Sequence, residues 1–418
     1  MISLLAAGRS ALRKRRCEFV WCVDFGSSKV GLAVYRIEDG GTPVLEDLAL
    51  GRLRGVKAGV VVDYGKSSAD LKAFFQKARE KHPGPVKKTI IGLSGSYLSS
   101  QIQRAKVLIP HNRGVDESDV VRAVQQALAA ILAEGQVVVH ALPQRFILDK
   151  LSATTHPPLQ LLGEVLEVDV LLVAGFSRPA QNVVNVIKEA RVVAGDLALN
   201  VLAAGAAVLS PEQRQIGVAL VDIGAETTDI ALYYGGETLY TKSLPFGGRH
   251  ITSDLSSLLS TYDGEAEEMK IRYGCADPEL VEKDLQVPYH ASTTSGYRIA
   301  EVIWHRFDEI ARAVAAEIRH NGGRFPLAAG ICLTGGTSRL RAAAEVLAAV
   351  TGRRVWLGHP DATLNEQQIR DPACAAALGL ISFHNVRRPP RGVVKQVNSR
   401  VSRFYKYLYG DNEGIEMN

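Results

Sequence analysis

Residues 23–41 read VDFGSSKVGLAVYRIEDGG, and residues 221–236 read VDIGAETTDIALYYGG. Aligned on Asp24 and Asp222, both copies have a glycine two positions on (Gly26, Gly224), and Ala33 and Tyr35 match Ala231 and Tyr233. Each copy reads as a strand, a tight turn and a returning strand. A chain that builds one hairpin in each half is constrained to a two-part architecture whose halves do matching work. The glycines are expected to allow positive φ and close backbone approach, so that turn amides can face an anion. Ser27, Ser28, Thr227 and Thr228 add hydroxyl donors, and Lys29 adds a point charge. Asp24 and Asp222 cannot bind phosphate themselves. They can hold magnesium through its water shell, which magnesium largely keeps when it bridges phosphates. Two such hairpins facing across a cleft would grip the β- and γ-phosphates of a nucleotide from both sides.

A lone Asp-x-Gly turn is most often only a hairpin, so the weight rests on the pair and on a third loop. GICLTGGTSRL puts Gly335 and Gly336 at a strand end, with a helix expected to open after Thr337 and Ser338. A ribose or phosphate could sit there against backbone and helix N-terminus. An ordinary capped helix is the plainer reading.

With 418 residues, the chain exceeds one ordinary core and calls for several subdomains. Its 46% hydrophobic and 22% charged residues are those of a soluble globular protein. The five cysteines lack CxxC spacing, so neither a disulfide framework nor a zinc site is expected, and a reducing cytosol fits. A net charge of +5 is mild for this length and gives no argument for nucleic acid. No apolar run is long enough to span a bilayer. In MISLLAAGRSALRKRRCEF the apolar part precedes the basic part, the reverse of a secretory signal. It reads as a basic leader, with a short membrane-touching helix as the alternative.

Along the chain, helical spacing is expected over 69–81, and a strand over 89–93. Then the texture changes to YLSSQIQRAKVLI, an acidic-capped helix DESDVVRAVQQALAAILA, and VVVHALPQRFILD, which together suggest a small inserted α+β module. Strand character returns over 161–173. ALNVLAAGAAVLSPEQR reads as one small-residue helix leading into the second hairpin. Past the globular part, Arg387, Arg388 and Arg391 fall in a Pro/Gly linker. Val401, Phe404, Tyr405 and Leu408 then recur at helical spacing beside Arg403 and Lys406, a pattern suited to an anionic lipid interface.

These motifs, in this order, resemble the actin-like ATPase superfamily, and within it the FtsA cell-division family. DFGSSKV is similar to that family's first phosphate loop, DIGAETTD to its second, and LTGGTSRL to its adenosine loop. AEEMKIRYGCA resembles the helix and GCA signature of its outer second subdomain, while LSGSYLSSQ and ALPQRFILD resemble its inserted module. DPACAAALGL is similar to its closing helix, so the resemblance runs from about Phe19 to His384. It implies an α/β, actin-like two-domain fold with a central nucleotide cleft and a small α+β module inserted in the first domain.

The expected organisation begins with a leader, 1–17, and a first domain, 18–85, resumed at 164–194. An SHS2-like insert occupies 86–163, and a second domain 195–365, with its outer subdomain at about 245–320. A closing helix (366–386), linker (387–398), membrane-targeting helix (399–410) and acidic tail (411–418) follow. By the same resemblance, Glu267 and Lys270 are candidates for the adenine pocket, with a solvated helix face as the alternative. In the family the FtsZ tail docks on the outer second subdomain, whose long helix here contains Arg298 and Arg306, although an ordinary surface arginine is the plainer description of either one.

The resemblance implies binding of ATP with magnesium, self-association into filaments, and tethering of FtsZ filaments to inner-membrane lipids alongside other divisome proteins. The protein would thus be cytoplasmic and peripheral on the inner membrane face at the division site. Two departures matter. Ala225-Glu226 stands where the family's second loop carries more glycine, so Glu226 must point away from phosphate or weaken binding. The stretch GAAVLS before the second hairpin offers nothing to orient water, so at most weak ATP hydrolysis is expected. The PilM pilus-assembly family is the alternative, since it shares cleft and insert but relies on a partner peptide rather than a lipid helix. A small-molecule kinase of the same superfamily comes third; it would need a general base, and neither hairpin offers one.

Overall fold

The computed structural model describes residues 18–37, 42–129, 135–151, 153–193, 195–289, 292–323, 325–364 and 367–386. The first sheet opens with β1 (Glu18–Phe25), β2 (Lys29–Ile37) and β3 (Pro43–Arg52). A short hairpin, β4 (Val56–Lys57) and β5 (Val60–Val61), leads to α1 (Tyr64–Lys81). Helix α1 starts five residues before the expected 69 because the Asp63 side chain accepts from Lys66 N at 3.0 Å and caps it. Strand β6 (Val86–Leu93) then runs parallel to β1. Phe19–Val23 of β1 are all buried, as a continuous apolar run must be when a sheet is covered on both faces.

The module follows as β7 (Leu98–Leu108), α2 (Glu117–Ala129), β8 (Gln136–Leu148) and β9 (Val165–Phe176). Strand pairing draws its edges differently from the expected 86–163. Strand β6 belongs to the first sheet, whereas β9 pairs with both β7 and β8. Along β9 the burial alternates: Leu166, Val168, Val170 and Leu172 pack on α2, while Leu171 and Val173 face the first domain's core.

Next come α3 (Ser177–Glu189), β10 (Asp196–Leu199), α4 (Asn200–Val208) and α5 (Pro211–Ile216). The single helix expected over this stretch is thus broken into three elements. Asp196–Leu199 pairs with β6 as a strand, and Ser210-Pro211 starts a new helix with a Ser210/Gln213 capping box.

The second half holds β11 (Val218–Ile223), β12 (Thr228–Tyr234), β13 (Glu237–Leu244), α6 (Gly248–Leu259) and α7 (Asp263–Tyr273). A hairpin of β14 (Gln286–Tyr289) and β15 (Ser292–Ser295) precedes α8 (Gly296–Gly322), β16 (Ile331–Thr334), α9 (Ala343–Thr351) and β17 (Val355–Leu357). The hairpin β18 (Ala362–Leu364) and β19 (Gln367–Ile369) and the helix α10 (Ala375–Val386) complete the described chain.

Two large sheets result, ordered β10-β6-β1-β2-β3 and β17-β16-β11-β12-β13-β7-β9-β8. The second contains the inserted module, joined to the second domain's edge through the pairing of Lys242 with Ser99. Helix α10 packs on β1, β2 and β6, α4 packs on β11 and β12, and the two helices pack on each other between the sheets. Their crossing is close enough that a Cβ on Gly379 would stand 1.8 Å from the Ala203 carbonyl oxygen.

Candidate functional site

The two repeated hairpins fold alike. Asp24 pairs with Gly31 in the first, and Asp222 with Asp229 in the second. Each turn closes with the same bond, Gly26 N donating to Lys29 O at 3.1 Å and Gly224 N to Thr227 O at 2.8 Å. Neither glycine has positive φ, contrary to expectation. Space is the requirement instead, since a Cβ on Gly26 would lie 2.7 Å from Lys29 O and one on Gly224 3.2 Å from Thr227 O. With the glycine amides spent inside the turns, the amides of Ser27, Ser28, Ala225 and Glu226 have no acceptor among the described residues.

Both turns open onto one cleft, lined by Asp24, Gly26, Ser27, Ser28, Lys29, Asp222, Gly224, Thr227, Gly335 and Gly336. The third loop reaches it through Gly335, at φ 90°, where a Cβ would stand 2.2 Å from Asp222 Oδ1 and 2.5 Å from Ile223 O. Gly336–Arg339 forms a 3-10 turn rather than the start of the expected helix. Ala342 sits at φ 63° and delays helix α9 to Ala343. Thr337 does not cap that helix; its hydroxyl donates to Gly224 O at 2.9 Å and ties the third loop to the second hairpin. Thr228 likewise turns from the cleft and donates to Phe246 O.

Seven lining residues were not among the expected site residues, and four of them, Asp229, Ser94, Asn200 and Ala373, make hydrogen bonds there. Asp229 stands opposite Asp222 and accepts from Ser94 Oγ at 2.6 Å, a bond between the two domains. Its signal was present in hairpin register, because the seventh residue after Asp222 must face it. Asn200, the first residue of α4, donates to Asp24 Oδ1 at 2.7 Å. Ala373, before α10, accepts from Lys29 Nζ at 2.7 Å. The contributions of Ser94, Asn200 and Ala373 come from remote chain segments and had no local signal.

The electrostatics call for a cation. Burial pushes Asp222 up to about 8, helped by Asp229 and Asp24 and opposed by Lys29. Burial also raises Asp24 and Asp229, against Lys29 and the hydrogen bond from Asn200 for the first and hydrogen bonds from Ser94 and Thr227 for the second. Among the described residues the buried Asn200 Oδ1 has no hydrogen-bond partner, and Asn200 is one of the residues lining the cleft. Among the described residues no three His, Cys, Asp or Glu side chains are placed to ligate one metal directly. Carboxylates, a spare acceptor and hydroxyls around a polar cleft therefore fit magnesium held through water. Asp24 and Asp222 would hold it, and the ion would supply neutralising charge to bound phosphates.

Glu226 resolves one concern raised by its sequence. Its carboxylate does not line the cleft; it accepts from Ala58 N at 2.8 Å and pairs with Arg249 at 2.8 Å. Glu267 and Lys270 stand beside the third loop. Lys270 Nζ donates to Gly248 O, Thr252 Oγ1 and Glu267 at 2.9, 2.9 and 2.7 Å, so it is not a solvated surface lysine. Arg306 is engaged by Asp254 and Glu309, whereas Arg298 is exposed. The leader residues and Val401, Arg403, Phe404, Tyr405, Lys406 and Leu408 lie outside the described residues.

Comparison with known proteins bears on the family and the fold. The family model described as cell division protein FtsA matches residues 219–379, and the SHS2 domain inserted in FtsA matches residues 95–174. The FtsA of Pseudomonas aeruginosa is 30% identical over 368 residues, which cover 86% of this chain and 88% of that protein. The FtsA of Bacillus subtilis is 30% identical over 370 residues, covering 86% and 82%. The fold is shared with a PilM–PilN type IV pilus biogenesis complex (TM-score 0.62, 18% identity, covering 87% of this chain and 98% of that one). It is also shared with MreB5 of Spiroplasma citri bound to ADP (TM-score 0.52, 13% identity, covering 89% and 97%). At such identities these structures speak to the actin-like fold alone. Sequence relationship over most of both chains, the SHS2 module and the paired hairpins agree: this chain belongs to the FtsA family of cell-division proteins.

Proposed function

We propose that this protein is an ATP-binding scaffold of the division machinery. In this reading it polymerises at the inner membrane face and tethers FtsZ filaments there. The observation that carries the nucleotide part is the convergence of both hairpins and Gly335 on one polar cleft lined by Asp24, Asp222, Asp229 and Lys29. The free turn amides at 27, 28, 225 and 226 would cradle phosphate oxygens, Lys29 would add charge, and Asp24 and Asp222 would hold magnesium through water. Glu267 and Lys270 on α7, with Lys270 held on Gly248 O and Thr252, would serve the nucleoside end. Nothing on α4 beyond Asn200 carries a polar group toward the cleft, because Gly205, Ala206 and Ala207 continue the helix, so hydrolysis is slow or negligible in this reading. Membrane attachment rests on the amphipathic pattern of 399–410, and FtsZ recognition on exposed basic residues of α8 such as Arg298, with Arg306 already paired internally.

Pelleting with anionic liposomes, with and without magnesium–ATP and FtsZ, tests the whole reading. The wild type should sediment with vesicles and bring FtsZ with it, while Phe404→Glu should leave both in the supernatant. Asp222→Ala should weaken ATP binding by calorimetry at least about tenfold. Equal ATP affinity in wild type and Asp222→Ala would reject the cleft assignment, and unchanged sedimentation of Phe404→Glu would reject the anchor. The pilus-assembly alternative predicts membrane recruitment that survives Phe404→Glu.

A further inference from the structure

A second pocket, of about 180 Å3, lies beside the first hairpin and shares only Ser27 and Ser28 with the nucleotide cleft. Its charged lining is Arg52, Arg54, Arg249 and Glu226, three cations against one anion. A water molecule's share of liquid volume is about 30 Å3, so the pocket has room for a tetrahedral oxyanion.

The donors are unequally engaged. Arg52 is exposed; its side chain makes no hydrogen bond or ion pair within 4 Å among the described residues, and its charge acts on the Asp70 carboxylate. Arg54 gives Nε and one terminal nitrogen to Asp70, at 3.0 and 2.6 Å, and keeps the other terminal nitrogen. Arg249 approaches Glu226 most closely through Nε, at 2.8 Å, and its side chain is about half exposed. The two serine hydroxyls complete a set of the kind that binds phosphate by charge-assisted hydrogen bonds. Glu226 is the one anionic side chain in the lining, and its own ligands are informative. It is buried, and it takes a backbone amide (Ala58 N) and a guanidinium (Arg249), the two donor types a bound oxyanion would use. That pair also spans the molecule, since Ala58 lies on the first domain's β4–β5 turn and Arg249 in the first turn of α6.

We propose that this pocket is a second oxyanion site, distinct from the nucleotide cleft, that takes inorganic phosphate, and that Glu226 is its built-in competitor. Phosphate seated on Arg52 and Arg249 displaces the Glu226 carboxylate and thereby releases its bond to Ala58 across the domains. The carboxylate sets the affinity, because the incoming phosphate must displace it from Arg249.

Calorimetry of the full chain with inorganic phosphate, in nucleotide-free buffer, tests this. Glu226→Gln keeps the side-chain shape and removes the charge, and should bind phosphate about tenfold more tightly than wild type. Arg52→Ala, at an exposed position whose side chain makes no hydrogen bond among the described residues, should fold normally and bind phosphate about tenfold more weakly, with unchanged ATP affinity. Asp222→Ala separates the two sites, because it should weaken ATP binding and leave phosphate binding intact. Three results would overturn the proposal: no saturable phosphate binding by Glu226→Gln, equal phosphate affinity in wild type and Arg52→Ala, or loss of phosphate binding in Asp222→Ala. The last would move the phosphate into the nucleotide cleft.

Discussion

At the residue scale, three glycines that look interchangeable in the motifs have different physical duties. Gly26 and Gly224 have ordinary φ and are needed because a Cβ would crowd the carbonyl oxygen that closes each turn. Gly335 carries both constraints, with φ 90° and a Cβ position 2.2 Å from Asp222 Oδ1. Gly335→Ala must therefore strain the backbone and push on the very carboxylate expected to hold magnesium. It should destabilise the fold by about 1–3 kcal/mol and weaken magnesium–ATP binding, read by thermal melts and calorimetry. A melting temperature and ATP affinity equal to wild type would mean that the loop relaxes freely away from Asp222. Glu226 makes a related point. Its residue type announces repulsion from phosphate, yet its direction is set by Ala58 and Arg249, which lie far from it in sequence.

At the element scale, the inserted module was legible as a block because its texture differs from the flanking buried strands. Its limits were not, because Val86–Leu93 and Val165–Phe176 are both apolar strands, and only pairing says which sheet each joins. Helix α2 shows what holds the module together. Asp116 Oδ1 accepts from Ser118 N at 2.8 Å at the helix start, and the buried Asp119 carboxylate receives both terminal nitrogens of Arg113, at 2.6 and 2.8 Å, and also Arg122. The Arg113 hydrogen bonds hold the Asp119 carboxyl well below the usual aspartate value of 3.8, against the opposing effect of burial. A depressed folded value means stability that is complete above the unfolded value and lost as the pH falls below it. The module should therefore loosen below about pH 4, and Asp119→Asn should remove much of that dependence while costing on the order of 2 kcal/mol at neutral pH, the partner arginines being part-exposed. Urea denaturation across pH 3–7 would check this, and parallel pH profiles for wild type and variant would refute it.

At the scale of the whole molecule, the two sheets are held together by helices α4 and α10, packed on each other between them. One continuous core includes Val23 and Ile91 of the first sheet, Ala203 and Leu380 of the helices, and Leu220 and Tyr233 of the second sheet. Along β11, Val218 and Leu220 face this shared core while Ala219, Val221 and Ile223 face the second domain's own core with α6 and α8. The period-two alternation of one strand thus ties each domain's interior to the interface between them. Gly379→Leu would drive a side chain into the Ala203 carbonyl and force the helices apart. The expected loss is about 1–3 kcal/mol, with lowered ATP affinity because Asn200 and Ala373, at the near ends of these helices, line the cleft. Wild-type melting and ATP binding in this variant would show that the crossing tolerates separation.

Local chemistry was enough to determine the repeated hairpins and the third glycine loop, and the actin-like plan came from the family resemblance of these motifs in their order. Turn residues, strand periodicity and an internal repeat are properties of neighbouring residues, and they survive without knowledge of the fold. Tertiary structure alone decided what depends on segments meeting from far apart. It brought Asn200, Ser94 and Ala373 into the cleft, turned Thr228 and Thr337 away from it, and aimed Glu226 at Arg249 rather than at phosphate. Side-chain direction and partnership are set by packing across the chain, and no spacing within a motif encodes them.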